Sequence, residues 1–321
     1  MKKEINIKCW GVRGSLPMPL TDIDVKNKIS AVVSRITSDD VRTKEDKELF
    51  ISSLPEWLYG TWGGNTSCVE IKFPNNISLL FDAGSGIRNY SIWLSRQKDN
   101  RKSFHVFFSH FHWDHIMGLP FFQQLYSKDV EAFFYSPVRK LKEYLYNQML
   151  SPYFPVTMDA MACRKNFVVL NEESPYKIKD IFVTPIPVEH PGGCYAYKVE
   201  YKNKKIMYAT DVELEDDYFI DNPRNKKFFY ELDFLIIDSQ YTLGESIEKY
   251  KWGHSSFSLV VDFAIKWNIK KVLMFHHEPL YDDKLLFQNL QAAREYARHQ
   301  GNELLEIELA KEDKTYCVGL D

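Results

Sequence analysis

The sequence predicts an α/β fold in which two β-sheets pack against each other and helices cover their outer faces. Twelve short apolar runs have the character of strands, whereas only a few segments show helical periodicity. This ratio favours two packed sheets. The 321 residues are 45% hydrophobic and 15% aromatic, so the chain can bury a large core. We therefore expect one domain over residues 1–321, with a helical insertion at 21–59.

The predicted strands are short apolar runs separated by turns and helical segments. In chain order they cover residues 4–10, 67–73, 77–82, 104–108, 132–135, 167–170, 181–187, 195–201, 205–210, 234–238, 271–275 and 303–309. Helical periodicity marks residues 137–150, 256–267 and 282–299. The last helix begins with Asp282 and Asp283, which suit an N-cap and a first turn, and it ends just before Gly301.

The segment 21–59 differs in composition from the rest of the chain. It is charged and mostly helical in pattern, and it separates two glycine-rich loops. We interpret it as an insertion on the main scaffold, and we expect it to cover the functional site or a subunit interface.

Charge and cysteine usage narrow the class of protein. The net charge of −3 argues against a protein that binds polyanions through a basic surface. Five scattered cysteines fit reduced thiols better than a disulfide framework. The N-terminal residues alternate like a first strand and lack the apolar segment of a signal peptide, and no run approaches transmembrane length. We therefore expect a cytoplasmic protein without a membrane partner.

Residues 109–118 are the most informative segment for function. His110, His112, Asp114 and His115 lie within six positions, directly after an apolar run that predicts a buried strand. Imidazole and carboxylate groups are the ligands that zinc and similar divalent metals prefer. Four of them on one loop therefore predict a metal site.

The spacing of this motif predicts which side chains converge. In extended backbone alternate side chains share a side, so His110, His112 and Asp114 can meet while Phe111 and Trp113 point away. The next residue, His115, breaks the alternation, as expected if the chain turns there into a helix.

Further candidate ligands lie downstream, each at the end of a predicted strand. His190 precedes a Pro-Gly-Gly turn, Asp211 follows the strand at 205–210, and His276 follows the strand at 271–275. Each residue alone could be an ordinary hydrogen-bonded loop residue. Together with the first loop they supply seven ligands, which is enough for two ions bridged by one carboxylate.

The order and spacing of these residues resemble the metallo-β-lactamase superfamily of hydrolases. The resemblance implies a four-layer αβ/βα sandwich and two divalent metal ions per chain, expected to be zinc, with manganese or iron as alternatives. It assigns His110, His112 and His190 to one ion, and Asp114, His115 and His276 to the other, with Asp211 bridging. Asp114 would also orient the water that acts as nucleophile. Asp82, before a glycine-rich turn, matches an aspartate that supports a ligand, although a turn aspartate is the alternative.

Three segments resemble one branch of this superfamily, which holds tRNA 3′-end processing endonucleases and cyclic phosphodiesterases. They are residues 10–17, 63–68 and 252–256. The third contains His254, which by this resemblance would neutralise the phosphoryl oxygens or protonate the leaving group. Phosphodiester hydrolysis needs cations against the non-bridging oxygens, an in-line nucleophile and a proton donor for the departing alkoxide.

Several other residues have both a functional and a structural interpretation. Asp238, at a strand end, could support the metal ligands or His254, or be purely structural. Arg13 and Arg88 could contact a phosphate or form surface ion pairs. The segment 152–155 and Tyr241 could form a base-binding face, since aromatic rings stack on nucleobases.

We predict a dinuclear metal-dependent hydrolase that cleaves a small, cyclic phosphodiester, with Asp114 and His254 as catalytic residues. An RNA-processing endonuclease is the main alternative; a lactone or ester hydrolase and a weakly catalytic nucleotide-sensing module are two others. The expected partner is a small phosphodiester such as a cyclic nucleotide, with nucleic acid in the alternative. A homodimer is left open.

Overall fold

Fourteen strands form the centre of the described structure, a computed structural model that covers residues 4–320. In chain order they are β1 (Glu4–Gly11), β2 (Cys68–Lys72), β3 (Ser78–Phe81), β4 (Ser103–Phe107), β5 (Glu131–Ser136), β6 (Arg164–Val169), β7 (Tyr176–Ile178), β8 (Ile181–Val188), β9 (Cys194–Tyr201), β10 (Lys204–Ala209), β11 (Phe234–Asp238), β12 (Lys271–Phe275), β13 (Glu306–Leu309) and β14 (Thr315–Gly319).

The strands divide into two sheets of seven within residues 4–320. The first has the order β14-β1-β2-β3-β4-β5-β6 and the second β13-β12-β11-β10-β9-β8-β7. Strands β3 to β6 run parallel to one another, as do β10 to β13. Parallel neighbours carry their carboxyl ends to the same edge of a sheet, so loops that follow these strands can meet there.

Ten α-helices complete the described part of the chain. They are α1 (Asp22–Val33), α2 (Lys44–Ser53), α3 (Glu56–Tyr59), α4 (Gly86–Arg96), α5 (Trp113–Ile116), α6 (Leu141–Asn147), α7 (Pro223–Phe229), α8 (Leu243–Glu248), α9 (Phe257–Lys266) and α10 (Asp283–His299). None of these helices is long and apolar enough to cross a membrane.

The core lies in three apolar layers because side chains alternate along each strand. In β11, Phe234 and Ile236 enter the layer between the two sheets. Their neighbours Leu235 and Ile237 instead join the outer layer that α9 and α10 cover. A third layer, with Ile87 and other residues of α4, covers the outer face of the first sheet. Helices therefore lie outside two packed sheets, as predicted.

The helix ends follow local capping rules. Asp282 accepts a hydrogen bond from the backbone N–H of Leu285 and caps α10, and Ser256 caps α9 in the same way through Leu259. The cap at Ser256 is relevant to the site, because it fixes the end of the segment 252–256, which contains His254.

The segment 21–59 contains the helices α1, α2 and α3, whereas its interpretation as an insertion stays a prediction. No residue of α1 or α2, both fully described, is buried. The segment is held to the scaffold by the ion pairs Lys28–Asp283 and Glu56–Lys311, each at 2.5 Å, and by the buried side chains of Leu54 and Leu58. Both helices leave apolar side chains exposed, including Ile29 and Leu49.

The predictions of single elements are confirmed in most places. All twelve predicted strands are present, with ends shifted by a few residues, and β7 and β14 were not predicted. The predicted helix at 137–150 is shorter, because α6 covers only Leu141–Asn147. The helix after the histidine motif was predicted to begin at His115, but α5 begins at Trp113. The reason is that His112 already has the extended backbone of an N-cap.

Candidate functional site

The seven predicted ligands meet at one edge of the two sheets, where parallel strands end. Asp211 and His276 follow β10 and β12 of the second sheet, and the histidine motif follows β4 of the first. His190 comes from the turn between β8 and β9. The structure therefore brings together all seven side chains, and their binding of metal remains a prediction.

His110, His112 and His190 form a first cluster, in which one potential ligand atom from each lies within 4.8 Å of the others. The Nδ1 atom of His112 lies 3.2 Å from Nε2 of His190. Two imidazole nitrogens at this distance need a proton or a cation between them, because two lone pairs repel each other.

Asp114, His115, Asp211 and His276 form a second cluster of four buried side chains under the same distance limit. Nε2 of His115 lies 3.0 Å from Asp114 Oδ2, and Nε2 of His276 lies 3.3 Å from the same oxygen. This cluster contains two buried carboxylates, and burying such charges is costly unless cations compensate them.

Asp211 faces both clusters with different oxygens. Its Oδ1 lies 3.8 Å from Nε2 of His110 and 3.8 Å from Nε2 of His190. Its Oδ2 lies 3.1 Å from Nε2 of His115 and 3.2 Å from Nε2 of His276. This is the geometry that a bridging carboxylate requires.

Hydrogen bonds fix the second ring nitrogen of several histidines. Nδ1 of His115 contacts Asp82 at 2.8 Å, Nδ1 of His190 contacts the Gly253 carbonyl at 3.0 Å, and Nδ1 of His276 contacts Gln240 Oε1 at 3.1 Å. Such contacts orient a ligating imidazole and fix its tautomer.

The opposite nitrogens are then directed at the centre of the clusters. Nε2 of His110 is buried and has no hydrogen-bond partner within residues 4–320. Orphaned buried nitrogens are rare in folded proteins. Nε2 of His115 is not aligned for a hydrogen bond either, although carboxylate oxygens of Asp114 and Asp211 lie 3.0 and 3.1 Å from it. The donor set and these two nitrogen atoms fit divalent cations in both clusters.

Asp82 supports the second cluster from behind. It is fully buried, and its carboxylate contacts the Ser109 backbone N–H at 2.8 Å, the Ser109 hydroxyl at 2.7 Å, the Tyr208 hydroxyl at 2.7 Å and Nδ1 of His115 at 2.8 Å. The hydroxyl of Ser109 thus bonds to Asp82. This contact with His115 agrees with the role predicted for Asp82.

The pKa values in the site follow from burial and from the neighbouring charges. Burial lowers the pKa of His110 well below its usual value. Burial acts in the same sense on His276, but Asp211 and other carboxylates outweigh it and raise its pKa to about 10. Burial opposes ionisation of Asp211, yet the nearby imidazoles hold its pKa well below the usual range. The carboxylates of the centre therefore stay ionised near neutral pH.

His254 lies beside both clusters and is held by Asp238. Nδ1 of His254 is 2.6 Å from Asp238 Oδ2, and the His254 ring centroid lies 5.4 Å from that of His190 and 5.1 Å from that of His276. Asp238 is fully buried, and its second oxygen accepts the backbone N–H of Ser255. The contact with His254, one of the interpretations of Asp238, is therefore present.

Glu213 is a residue of the site that the sequence did not indicate. Its carboxylate accepts the backbone N–H groups of Lys251 and Gly253, each at 2.8 Å, and so holds the loop that presents His254. Gly253 has φ +88°, and a Cβ atom there would lie 2.1 Å from Nδ1 of His190. Only glycine satisfies both the backbone angle and the close approach.

The first glycine-rich loop also reaches the centre, but through its backbone. The N–H of Ser15 donates to Asp114 Oδ2 at 2.9 Å. Arg13 is buried, and its guanidinium donates to the carbonyl oxygens of Gly63, Glu278 and Tyr281. Arg13 therefore anchors this loop, and its suggested contact with a phosphate stays a prediction.

Arg88 is exposed on α4, so a phosphate contact and a surface ion pair both stay predictions for it. Tyr241 is buried and packs edge-on against His254, with ring centroids 5.7 Å apart, so it offers no open face to a base.

Three residues of the site have backbone conformations that most residues avoid. Asp82, Asp211 and His276 have φ values of 60°, 49° and 60°, in the left-handed region. Each follows a parallel strand. This turn redirects the side chain from the line of the strand toward the centre, and such strain is typical of functional sites.

Two open cavities flank the clusters. One, of about 870 Å³, is lined by His110, His112, Trp113 and further aromatic residues. The other, of about 650 Å³, contains His254 and four acidic residues, Glu213, Glu215, Asp216 and Asp217. Among the described residues that line either cavity, none is Lys or Arg.

Comparison with known proteins agrees with this geometry. The chain is 22% identical over 299 residues to ribonuclease Z of Prochlorococcus marinus (strain NATL1A), covering 74% of this chain and 93% of that protein. The metallo-β-lactamase fold protein YhfI from Bacillus subtilis superimposes with a TM-score of 0.64 at 14% identity, over 99% of this chain and 100% of that one. Unliganded yeast PDE1 superimposes with a TM-score of 0.60 at 14% identity, over 98% and 99%.

These similarities confirm the predicted αβ/βα sandwich as the metallo-β-lactamase fold. Residues 78–277 match the family described as the beta-lactamase superfamily domain. The match spans more than half of the chain, which therefore belongs to the beta-lactamase superfamily domain family.

Proposed function

We propose that this protein is a dinuclear metal-dependent phosphodiesterase that hydrolyses a small, cyclic phosphodiester. The observation that carries the proposal is the His254–Asp238 pair, with Nδ1 and Oδ2 2.6 Å apart, directly beside two clusters of metal-type ligands. Together these groups supply sites for cations, a carboxylate near the nucleophile and a proton donor for the leaving group.

The ligands divide between two ions in this proposal. His110, His112 and His190 hold one ion, Asp114, His115 and His276 hold the other, and Asp211 bridges them. Zinc suits this donor set, and manganese or iron could also bind it. When bound, two divalent cations lower the pKa of a water molecule and oppose the charge of the phosphoryl oxygens.

Asp114 and His254 then have separate tasks. Asp114, fixed by the Ser15 N–H at 2.9 Å, orients the attacking water. His254 donates a proton from Nε2 to the departing oxygen, because Nδ1 is bonded to Asp238. A buried carboxylate in this position selects the tautomer and stabilises the imidazolium form. Burial raises the pKa of Asp238, but His254 and His276 together outweigh burial and lower it.

The surroundings of the centre favour a small substrate. A long nucleic acid is held mainly through Lys and Arg contacts to its phosphates. Neither flanking cavity has such a residue among its described lining, and one presents four carboxylates. A polyanion that extended through that cavity would be repelled.

A second candidate function is an RNA-processing endonuclease. It is favoured by the similarity to ribonuclease Z, which extends over 93% of that relative's length. The exposed helices of the insertion would then have to supply the RNA contacts that the cavities lack.

The distinguishing experiment is a substrate panel on protein of measured metal content. Bis(p-nitrophenyl) phosphate, 2′,3′- and 3′,5′-cyclic nucleotides, a tRNA precursor and a lactone are tested under identical conditions. We expect turnover of the small diesters that requires about two metals per chain. Cleavage of the precursor alone would select the endonuclease. Full metal occupancy without diester cleavage would refute the proposal and leave the ester hydrolase or the nucleotide sensor.

His254→Ala tests the proton donor. We expect both metals to remain bound and diester turnover to fall on the order of 10²–10⁴-fold, as for loss of a positioned acid. His299→Ala, on the exposed end of α10, is the matched control and should retain full activity. Equal turnover of the two variants would remove the role assigned to His254.

A further inference from the structure

We infer that the larger cavity binds the base of a nucleoside phosphodiester, and that Trp113, Tyr153 and Gln148 recognise it. The inference rests on the proposed function and narrows its substrate class. The cavity has about 870 Å³ of space, which lies within the usual range for small-molecule sites. Because His110 and His112 line it, a ligand there can reach the metal-type clusters without a gap.

Exposed aromatic rings give the cavity its first property. Trp113 is 80% exposed although it directly follows His112, and Tyr153 is 85% exposed. Rings that large are normally buried in a protein of this size. Phe111 and Tyr144 also line the cavity and pack edge-to-face, with ring centroids 5.2 Å apart. Proteins bind nucleobases by stacking them on such rings, and this interaction does not require a charged side chain.

A carboxamide gives the cavity its second property. Gln148 lines it, and the Nε2 atom of Gln148 is buried without a hydrogen-bond partner within the described chain. Asn147 adds a second carboxamide to the lining. Carboxamides pair with the edges of bases, adenine in particular, because they present a donor and an acceptor side by side. A purely aliphatic ligand would leave Nε2 of Gln148 without an acceptor.

The charge of the lining agrees with a neutral base. Among the described residues that line it, none is Lys, Arg, Asp or Glu. A separate cavity, lined by four acidic residues, contains His254. A bound nucleotide would therefore place its base in the aromatic cavity, its phosphodiester at the clusters and its leaving group toward His254.

The test compares two diesters that differ only in the base. Adenosine 2′,3′-cyclic phosphate and base-free ribose 2′,3′-cyclic phosphate are assayed with the wild type, Trp113→Leu, Tyr153→Leu and Gln148→Leu. Tyr230→Leu, an exposed tyrosine elsewhere, is the control. Metal content is measured for every variant, because Trp113 neighbours a predicted ligand.

We expect the wild type to prefer the base-bearing substrate in kcat/KM. Each aromatic substitution should reduce that preference by about 5- to 100-fold, the range found for loss of one stacking contact. Gln148→Leu should reduce it by about 10-fold. Activity on the base-free diester should stay unchanged in these variants and in Tyr230→Leu.

Equal loss of both activities, or no preference in the wild type, would overturn the inference and leave the proposed function intact. If no diester is cleaved at all, the proposed function fails. Binding of adenosine 5′-monophosphate, measured by isothermal titration calorimetry, then tests whether the cavity recognises a base. Binding that weakens in Trp113→Leu and Gln148→Leu supports base recognition. The same affinity in all variants, or no binding to the wild type, refutes it.

Discussion

Asp82→Asn removes one charge from a fully buried carboxylate that accepts four hydrogen bonds. The amide can keep its oxygen toward His115, Tyr208 and the Ser109 hydroxyl, and its NH₂ group then faces the Ser109 backbone N–H. One hydrogen bond becomes a contact between two donors, which costs about 1–3 kcal/mol, and the other three lose their charge assistance. We expect the free energy of unfolding of the metal-free protein to fall by about 3–5 kcal/mol.

The same substitution should weaken metal binding, because Asp82 orients His115. Loss of such an outer contact typically lowers metal affinity by about 10- to 100-fold. Urea unfolding and titration against a competing chelator measure the two effects separately. Asp129→Asn, whose side chain is 79% exposed, is the control and should change neither quantity. An Asp82→Asn protein with wild-type metal affinity and a loss of stability below about 1 kcal/mol would refute the reasoning.

Three further predictions concern the centre and the insertion. Asp211→Ala should lower the metal content from two ions per chain, measured by mass spectrometry, because both clusters lose one oxygen; two tightly bound ions would show that Asp211 is not the bridge. Glu213→Gln should retain both metals but reduce diester turnover by about 10- to 100-fold, since His254 loses its position; activity equal to that of the exposed Asp216→Asn would contradict this. Deletion of residues 21–59 should change substrate preference or the oligomeric state, followed by kinetics and light scattering, without unfolding the core; a deletion with neither effect would rule out both roles.

The candidate ligands could be predicted from sequence because they form a dense local motif with partners at strand ends. His110, His112 and His115 could be predicted as ligands from their spacing alone. Glu213 could not be found in this way, because it acts through backbone N–H groups far along the chain and its residue type is common on surfaces. The aromatic cavity was indicated only in part: the segment 152–155 was noted, but Gln148 carries no sequence signal.

The missed elements of the fold have similar physical causes. Strand β14 presents only two buried positions, Tyr316 and Val318, and its place beside β1 depends on pairing across the whole chain. The sequence of helix α4 has helical periodicity, because Ile87, Tyr90 and Leu94 lie on one buried face. The glycines at its start, however, indicated a loop. Helix α8 begins with a capping box of Thr242 and Glu245, a signal that was available in the sequence.

The peptide unit of Gly253 has a consequence for how variants of this protein must be interpreted. Its carbonyl accepts the hydrogen bond from Nδ1 of His190, and the next residue in the chain is His254. If His190 binds a metal ion and His254 donates a proton, as proposed, a displacement of this one peptide group alters cation affinity and proton transfer at the same time. Substitutions at position 253 are therefore expected to change both properties together.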